Sequence, residues 1–207
     1  MTDPRTQLVA ETYDAIADRF AEWQSEIVDD PRRSWLEALL SRVPEGSAVL
    51  ELGCGSGEKD TRSLAERYAV TGVDISAEQI ARARSNVPTA VFLQSDFTEV
   101  DFEAASFAAV ASFYAFNHVP RELLAGLLTR VHSWLASGGY FLAALGTGDV
   151  PGWTGEWLGA TTYFSSYPAD VNRGLLVEAG FELELDEVVT IREPEGDVAF
   201  HWILGRT

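Results

Sequence analysis

The chain has little cysteine, methionine, histidine or lysine. Its 207 residues include one cysteine, one methionine and three histidines, and Lys59 is its only lysine. A single cysteine, Cys54, excludes an internal disulfide, which fits a reducing, cytoplasmic setting. His118, His132 and His201 lack the short ligand spacings of a structural metal site, so no metal is expected. Positive charge is also scarce: 15 Lys and Arg stand against 32 Asp and Glu, a net charge of −17. A field of that sign repels phosphate backbones and anionic lipid, which argues against nucleic-acid and membrane partners. No apolar run reaches the ~20 residues that span a bilayer. The start, Met1-Thr2-Asp3-Pro4-Arg5, lacks the basic head and apolar core of a signal peptide. The rest is ordinary for one globular domain over 1–207, with 46% hydrophobic and 23% charged residues.

The most informative stretch is Val49-Leu50-Glu51-Leu52-Gly53-Cys54-Gly55-Ser56-Gly57-Glu58. Its apolar half reads as a parallel strand covered on both faces. Gly53, Gly55 and Gly57 then permit a sharp turn with positive φ, bringing backbone N–H groups toward a ligand. Open α/β sheets bind ligands at this end of their strands. Glu58 stands where a dinucleotide fingerprint needs its third glycine, and the Gly-Lys-Ser/Thr of a phosphate loop is absent. An NAD-dependent dehydrogenase is therefore disfavoured. Flanking Glu51 and Glu58 suit a cationic or amine-bearing ligand. About twenty residues on, Asp74 ends the second strand, placed to accept hydrogen bonds from a ribose diol. Ile75 would lie against the base. Ser76 is the expected N-cap of the next helix, with Gln79 as its capping-box partner, which leaves Asp74 free.

Periodicity places the other elements. Helices are expected over 5–23, 31–43, 59–68, 77–86, 120–135 and 169–179. Strands are expected over 69–75, 90–94, 107–113, 140–145, 181–191 and 198–204. Ser137-Gly138-Gly139 should terminate the fifth helix. Residues 146–168 read as a long functional loop carrying Trp153, Trp157, Tyr163, Phe164 and Tyr167. Residues 1–45 form an N-terminal helical cap, and 46–207 the sheet core. His132 and His201 read as structural. His118 follows the fourth strand, and its ordinary pKa suits a general base at neutral pH.

The spacing Glu51-x-Gly53-x-Gly55-x-Gly57 resembles the first motif of class I S-adenosylmethionine-dependent methyltransferases. Tyr13-Asp14-x-x-Ala17, Asp96-Phe97 and the helix–Gly-Gly–strand passage at 120–145 resemble further elements of that family's small-molecule branch. The resemblance implies a three-layer, Rossmann-like α/β fold. Its seven-stranded sheet would have the order 3-2-1-4-5-7-6, with strand 7 antiparallel. It implies methyl transfer (EC 2.1.1) with S-adenosyl-L-methionine, which leaves S-adenosyl-L-homocysteine. Tyr13, Glu51, Gly53, Cys54, Gly55, Gly57, Asp74, Ile75, Asp96, Phe97 and Phe113 would hold the cofactor. His118, Tyr114 and Tyr163 are the candidates for base or orienting group. Two departures stand out. The usual Phe-Asp opening of the fourth strand is Phe107-Ala108, and the Asn/Asp-Pro-Pro-aromatic tetrad of nucleic-acid base methylation is missing. A small organic acceptor is the expected partner. The methylated atom and the oligomeric state, homodimer included, stay open. The alternative is a cofactor-binding regulatory module or a non-methylating enzyme on the same fold.

Overall fold

The computed structural model describes residues 3–207. Met1 and Thr2, where the leader reading begins, lie outside the described residues. No helix among the described residues is long and apolar enough to cross a membrane.

Helix α1 (Pro4–Ser25) starts at Asp3, whose carboxylate accepts the Arg5 N–H, with proline in the first turn. α2 (Arg32–Leu40) buries Trp35, Leu36 and Leu39. The core then alternates: β1 (Ala48–Leu52), α3 (Asp60–Ala65), β2 (Ala69–Asp74), α4 (Ala77–Asn86), β3 (Val91–Gln94) and β4 (Phe107–Ser112). A single 3₁₀ turn, Phe116–His118, precedes α5 (Arg121–Trp134) and β5 (Leu135–Gly146). β6 (Val150–Trp157), β7 (Ala160–Ser166), α6 (Ala169–Glu178), β8 (Glu182–Glu193) and β9 (Gly196–Arg206) complete the chain.

The large sheet has the order β3-β2-β1-β4-β5-β9-β8. β9 is antiparallel to both of its neighbours, and the other pairs are parallel. Counted within that sheet alone, the order is the expected 3-2-1-4-5-7-6. The numbers differ because β6 and β7 pair only with each other in a separate two-stranded sheet.

Strand residues divide by period two between two cores, except at the β4 irregularity between Phe107 and Ala109. Leu50, Leu52, Val110, Phe141, Ala143 and Ile203 join the α5 and α6 side chains on one face. Val49, Ala109, Ala111, Leu142, Trp202 and Leu204 join α2 and α3 on the other. A smaller cluster seats Ile80 and Ala83 of α4 on Phe92, beside Cys54. The packing is close there: a Cβ on Gly72 would come within 2.9 Å of Cys54 Sγ and of the Phe92 ring.

Two expectations fail. The Gly138-Gly139 pair does not end α5. The helix stops at Trp134, Leu135 is already extended, and β5 absorbs the glycines through an irregular register against β4. Residues 146–168 are not a loop. They form the β6–β7 hairpin, turning at Leu158 and Gly159, both with positive φ. The turn pairs Trp157 with Ala160, so only two residues are unpaired. The frequent glycines and aromatics disguised a strand pattern as loop composition.

Candidate functional site

Beyond the C-terminal ends of β1, β2 and β4 lies a cavity of about 560 Å³, covered by α1 and the β6–β7 hairpin. That volume falls in the ~300–1,000 Å³ range of small-molecule sites.

Its floor is the glycine loop. Gly53, Gly55 and Gly57 have φ of 73°, 53° and 69°, as expected. A Cβ on Gly53 would lie 2.3 Å from Ala115 Cβ, so the chain can pass there only without a side chain. The loop is less of an N–H cradle than the motif suggested. The N–H groups of Gly53 and Cys54 both donate to Val73 O, and that of Gly57 to Cys54 O. Gly55 N–H donates to Asp74 Oδ2 at 2.8 Å. Of the N–H groups at positions 53–57, Ser56's alone donates to no protein acceptor among the described residues. The loop mainly offers space.

Asp74 is not free. Besides Gly55, it accepts the Ser76 N–H through Oδ1 at 3.0 Å. Each oxygen keeps lone-pair capacity, and the side chain borders the cavity with Ile75. Ser76 does cap α4, accepting the Gln79 N–H at 3.1 Å, but its own N–H goes to Asp74, so the reciprocal half of the capping box is absent.

The Tyr13-Asp14 element clamps α1 over the site. Asp14 accepts the Ser76 hydroxyl at 2.6 Å and the Glu78 N–H at 3.0 Å. Tyr13 Oη lies 2.8 Å from His118 Nε2. His118 Nδ1 lies 2.8 Å from the Tyr163 carbonyl oxygen, which can only accept. The proton is therefore on Nδ1, and Nε2 accepts the Tyr13 O–H. His118 is buried, and burial pulls its pKa down to about 4 despite the carbonyl contact. It is neutral at pH 7 and a poor proton acceptor.

The other assigned residues sort clearly. Gly53, Cys54, Gly55, Gly57, Asp74 and Ile75 border the cavity, as do Tyr13, Phe97, Phe113, Tyr114 and His118. Burial, with the Asp74 and Glu51 charges adding to it, pushes the Cys54 thiol up, so it is no ready nucleophile. Three residues do not border it. Glu51 is on the α3 face of β1, where it accepts the Thr61 hydroxyl, and burial beside Asp60 raises its pKa. Asp96 is buried and accepts the Thr98 N–H at 2.8 Å, while its Oδ2 has no partner. Tyr163 is only 3% exposed and its hydroxyl has no partner among the described residues; its neighbour Phe164 reaches the cavity instead. Pleat parity decides this, since adjacent strand residues point to opposite faces. Tyr114, at φ 62°, donates to Asp30 Oδ1 at 2.7 Å, and burial beside Asp30 raises its pKa. It too is a poor base.

Further charged and polar residues border the cavity. Arg32 Nη1 pairs with Asp60 Oδ2 at 2.6 Å, with the guanidinium 4.9 Å from the Tyr114 ring centre. Burial holds the Asp60 pKa up to about 6, and Arg32 opposes it. Asn117 Oδ1 is buried without a partner. Glu193 enters from the far end of β8.

A family model described as a methyltransferase domain matches residues 49–139. The 27-O-demethylrifamycin SV methyltransferase of Amycolatopsis mediterranei is 29% identical over 141 residues, 58% of this chain and 52% of that one. The chain spans about half the length of the curated relatives it matches. Among solved structures, the DhpI–SAH complex superposes with a TM-score of 0.77 at 24% identity, covering 100% of this chain and 98% of that one. The [4+2]-cyclase SpnF gives 0.74 at 15% identity, covering 100% of this chain and 97% of that one. The sheet order and the glycine-loop crevice define a Rossmann-like α/β scaffold. Over the matched residues 49–139, and in its sheet order, the chain is similar to class I S-adenosylmethionine-dependent methyltransferases.

Proposed function

We propose that this protein is an S-adenosylmethionine-dependent methyltransferase acting on a small organic acceptor. The observation that carries the reading is the cavity at the β1, β2 and β4 ends, floored by three positive-φ glycines and flanked by Asp74. Two buried acceptor oxygens nearby, Asp96 Oδ2 and Asn117 Oδ1, have no donor among the described residues. Unmet acceptors of that kind suit a ligand carrying hydroxyl and amino donors.

The cofactor, when bound, would supply a methyl group on a sulfonium, transferred as its carbon–sulfur bond breaks toward sulfur. The chain's own contribution is placement. Asp74 would accept from the sugar hydroxyls with its remaining lone pairs. Ile75 and Phe97 offer apolar cover for the base. Tyr13 donates its O–H hydrogen bond to His118, so toward the cavity its oxygen acts as an acceptor. We therefore read His118 as a positioning residue that orients Tyr13. Good alignment alone is worth effective molarities of roughly 10⁵–10⁸ M, so an amine or thiolate acceptor needs no strong base.

Isothermal calorimetry with S-adenosylhomocysteine tests the reading. Micromolar binding is expected, with none for NAD. Asp74→Ala should weaken it by at least tenfold, because one charged acceptor and the Gly55 tether go together. Affinity unchanged by that substitution would remove the sugar assignment.

The second reading is a non-methylating enzyme on the same scaffold, favoured by the likeness to SpnF. Tight binding of S-adenosylmethionine without turnover of any acceptor class would support it.

A further inference from the structure

The cavity continues past the glycine loop into a wall of aromatic rings. Tyr13, Phe20 and Trp23 come from α1, and Trp157 and Phe164 from the hairpin. Trp157 is the hub, with ring centres 6.1, 6.0, 5.2 and 5.8 Å from Tyr13, Phe20, Trp23 and Phe164. None of the five is fully buried, although each packs on others. Their residual surface borders the cavity.

Glu193, at the end of β8, borders the same space. Among the described residues its carboxylate has no hydrogen-bond or ion-pair partner. Of the other charges, Glu58 at the end of the glycine loop is also unpaired among the described residues, and the rest are engaged. Arg32 holds Asp60, and Arg192 holds Asp197 at 3.0 Å. Lys59 Nζ donates to Gln24 O at 3.1 Å. Asp74 takes two backbone N–H groups. Burial, with Glu195 adding to it, raises the Glu193 pKa to about 7, so at neutral pH it is ionised only in part unless a cation joins it.

Ring faces carry negative potential and attract cations, most strongly when the site is partly dry. A carboxylate beside them supplies the counter-charge. An anionic acceptor would be repelled. A neutral apolar one would seal Glu193 from water without a partner, at a desolvation cost. We infer that the rings of Tyr13, Phe20, Trp23, Trp157 and Phe164, together with Glu193, form a subsite for an ammonium group, so that the acceptor substrate is a small molecule carrying a cationic amine, whichever of its atoms takes the methyl. This rests on the methyltransferase reading and names its substrate class.

The test uses the full chain and two probes of equal shape: choline chloride and its neutral isostere 3,3-dimethyl-1-butanol. Binding is followed by tryptophan fluorescence at constant ionic strength. Choline should bind saturably at millimolar concentration or below, and at least fivefold tighter than the alcohol. Glu193→Gln should erase most of that preference, and Trp157→Leu should weaken choline by roughly tenfold. Equal binding of the two probes by the unmutated chain overturns the inference, as does a full preference in Glu193→Gln. S-adenosylhomocysteine is titrated into the same samples by calorimetry. If it binds while choline does not, the ammonium subsite alone is wrong. If it does not bind, the methyltransferase reading fails as well.

Discussion

His118 illustrates how one residue's chemistry depends on its two contacts. The carbonyl of Tyr163 fixes the proton on Nδ1, and Tyr13 occupies Nε2. Folding then has a pH signature. The unfolded histidine titrates near 6.5, the folded one near 4. Between those values the unfolded state binds a proton that the folded state does not. This contribution is complete above pH 6.5 and is lost as pH falls toward 4. Asp60 and Glu193, whose pKa values are raised, act with the opposite sign in overlapping windows, so the parent chain alone cannot isolate it. The comparison with His118→Asn can. Between pH 7 and pH 4, the stability difference should move in favour of the variant by up to about 3 kcal/mol, measured by urea unfolding at each pH. A difference that stays flat across that range would contradict a buried neutral imidazole.

Among the elements, α1 and the β6–β7 hairpin behave as one cover. Thr12 donates to Thr161 O at 2.5 Å, and Trp157 packs on three aromatics of α1. Trp23 Nε1 donates to the Glu195 carboxylate, tying the end of α1 to the β8–β9 turn. Val28 pairs with Arg192 in both directions, fastening the α1–α2 linker to the same strand. The cover is held by few side chains, so it should open more readily than the seven-stranded sheet. Trp157→Ala should speed amide exchange in both α1 and the hairpin, measured by mass spectrometry, while β1, β4 and β5 stay protected. Faster exchange in the hairpin alone would show that the two elements move separately.

At the scale of the molecule, the charge of −17 works against compactness. The surface carries ion pairs, but exposed pairs contribute little, about 0–1 kcal/mol each. Screening therefore relieves more repulsion than it costs attraction. Raising sodium chloride from 20 to 300 mM at pH 7 should raise Tm by a few degrees in differential scanning calorimetry. A lower Tm would mean that specific pairs, such as the buried Arg32–Asp60 contact, outweigh the general field. The same field favours entry of a cation into the cavity, in keeping with the amine subsite.

How much of this was legible in the sequence follows from the range of each interaction. Local rules were enough for the strand-loop-helix unit at 48–65 and the α4 cap at Ser76, whereas the sheet order was expected only through the family resemblance. Positive φ at three glycines, hydrophobic period and cap chemistry act within a few residues, so they are written in the chain itself. The same is true of what scarcity excludes: one cysteine cannot form a disulfide in any fold. The tertiary structure alone decided which functional groups remain available. Asp74 looked free until Gly55 came within 2.8 Å across nineteen residues. Tyr163 looked like a hydroxyl donor until strand pairing turned Phe164 inward instead. His118 looked like a base until α1 and β7 claimed both nitrogens. Glu193 carried no motif and became a cavity wall only because β9 lies between β5 and β8. Burial and hydrogen-bond partners are set by segments distant along the chain, and these determine pKa and accessibility.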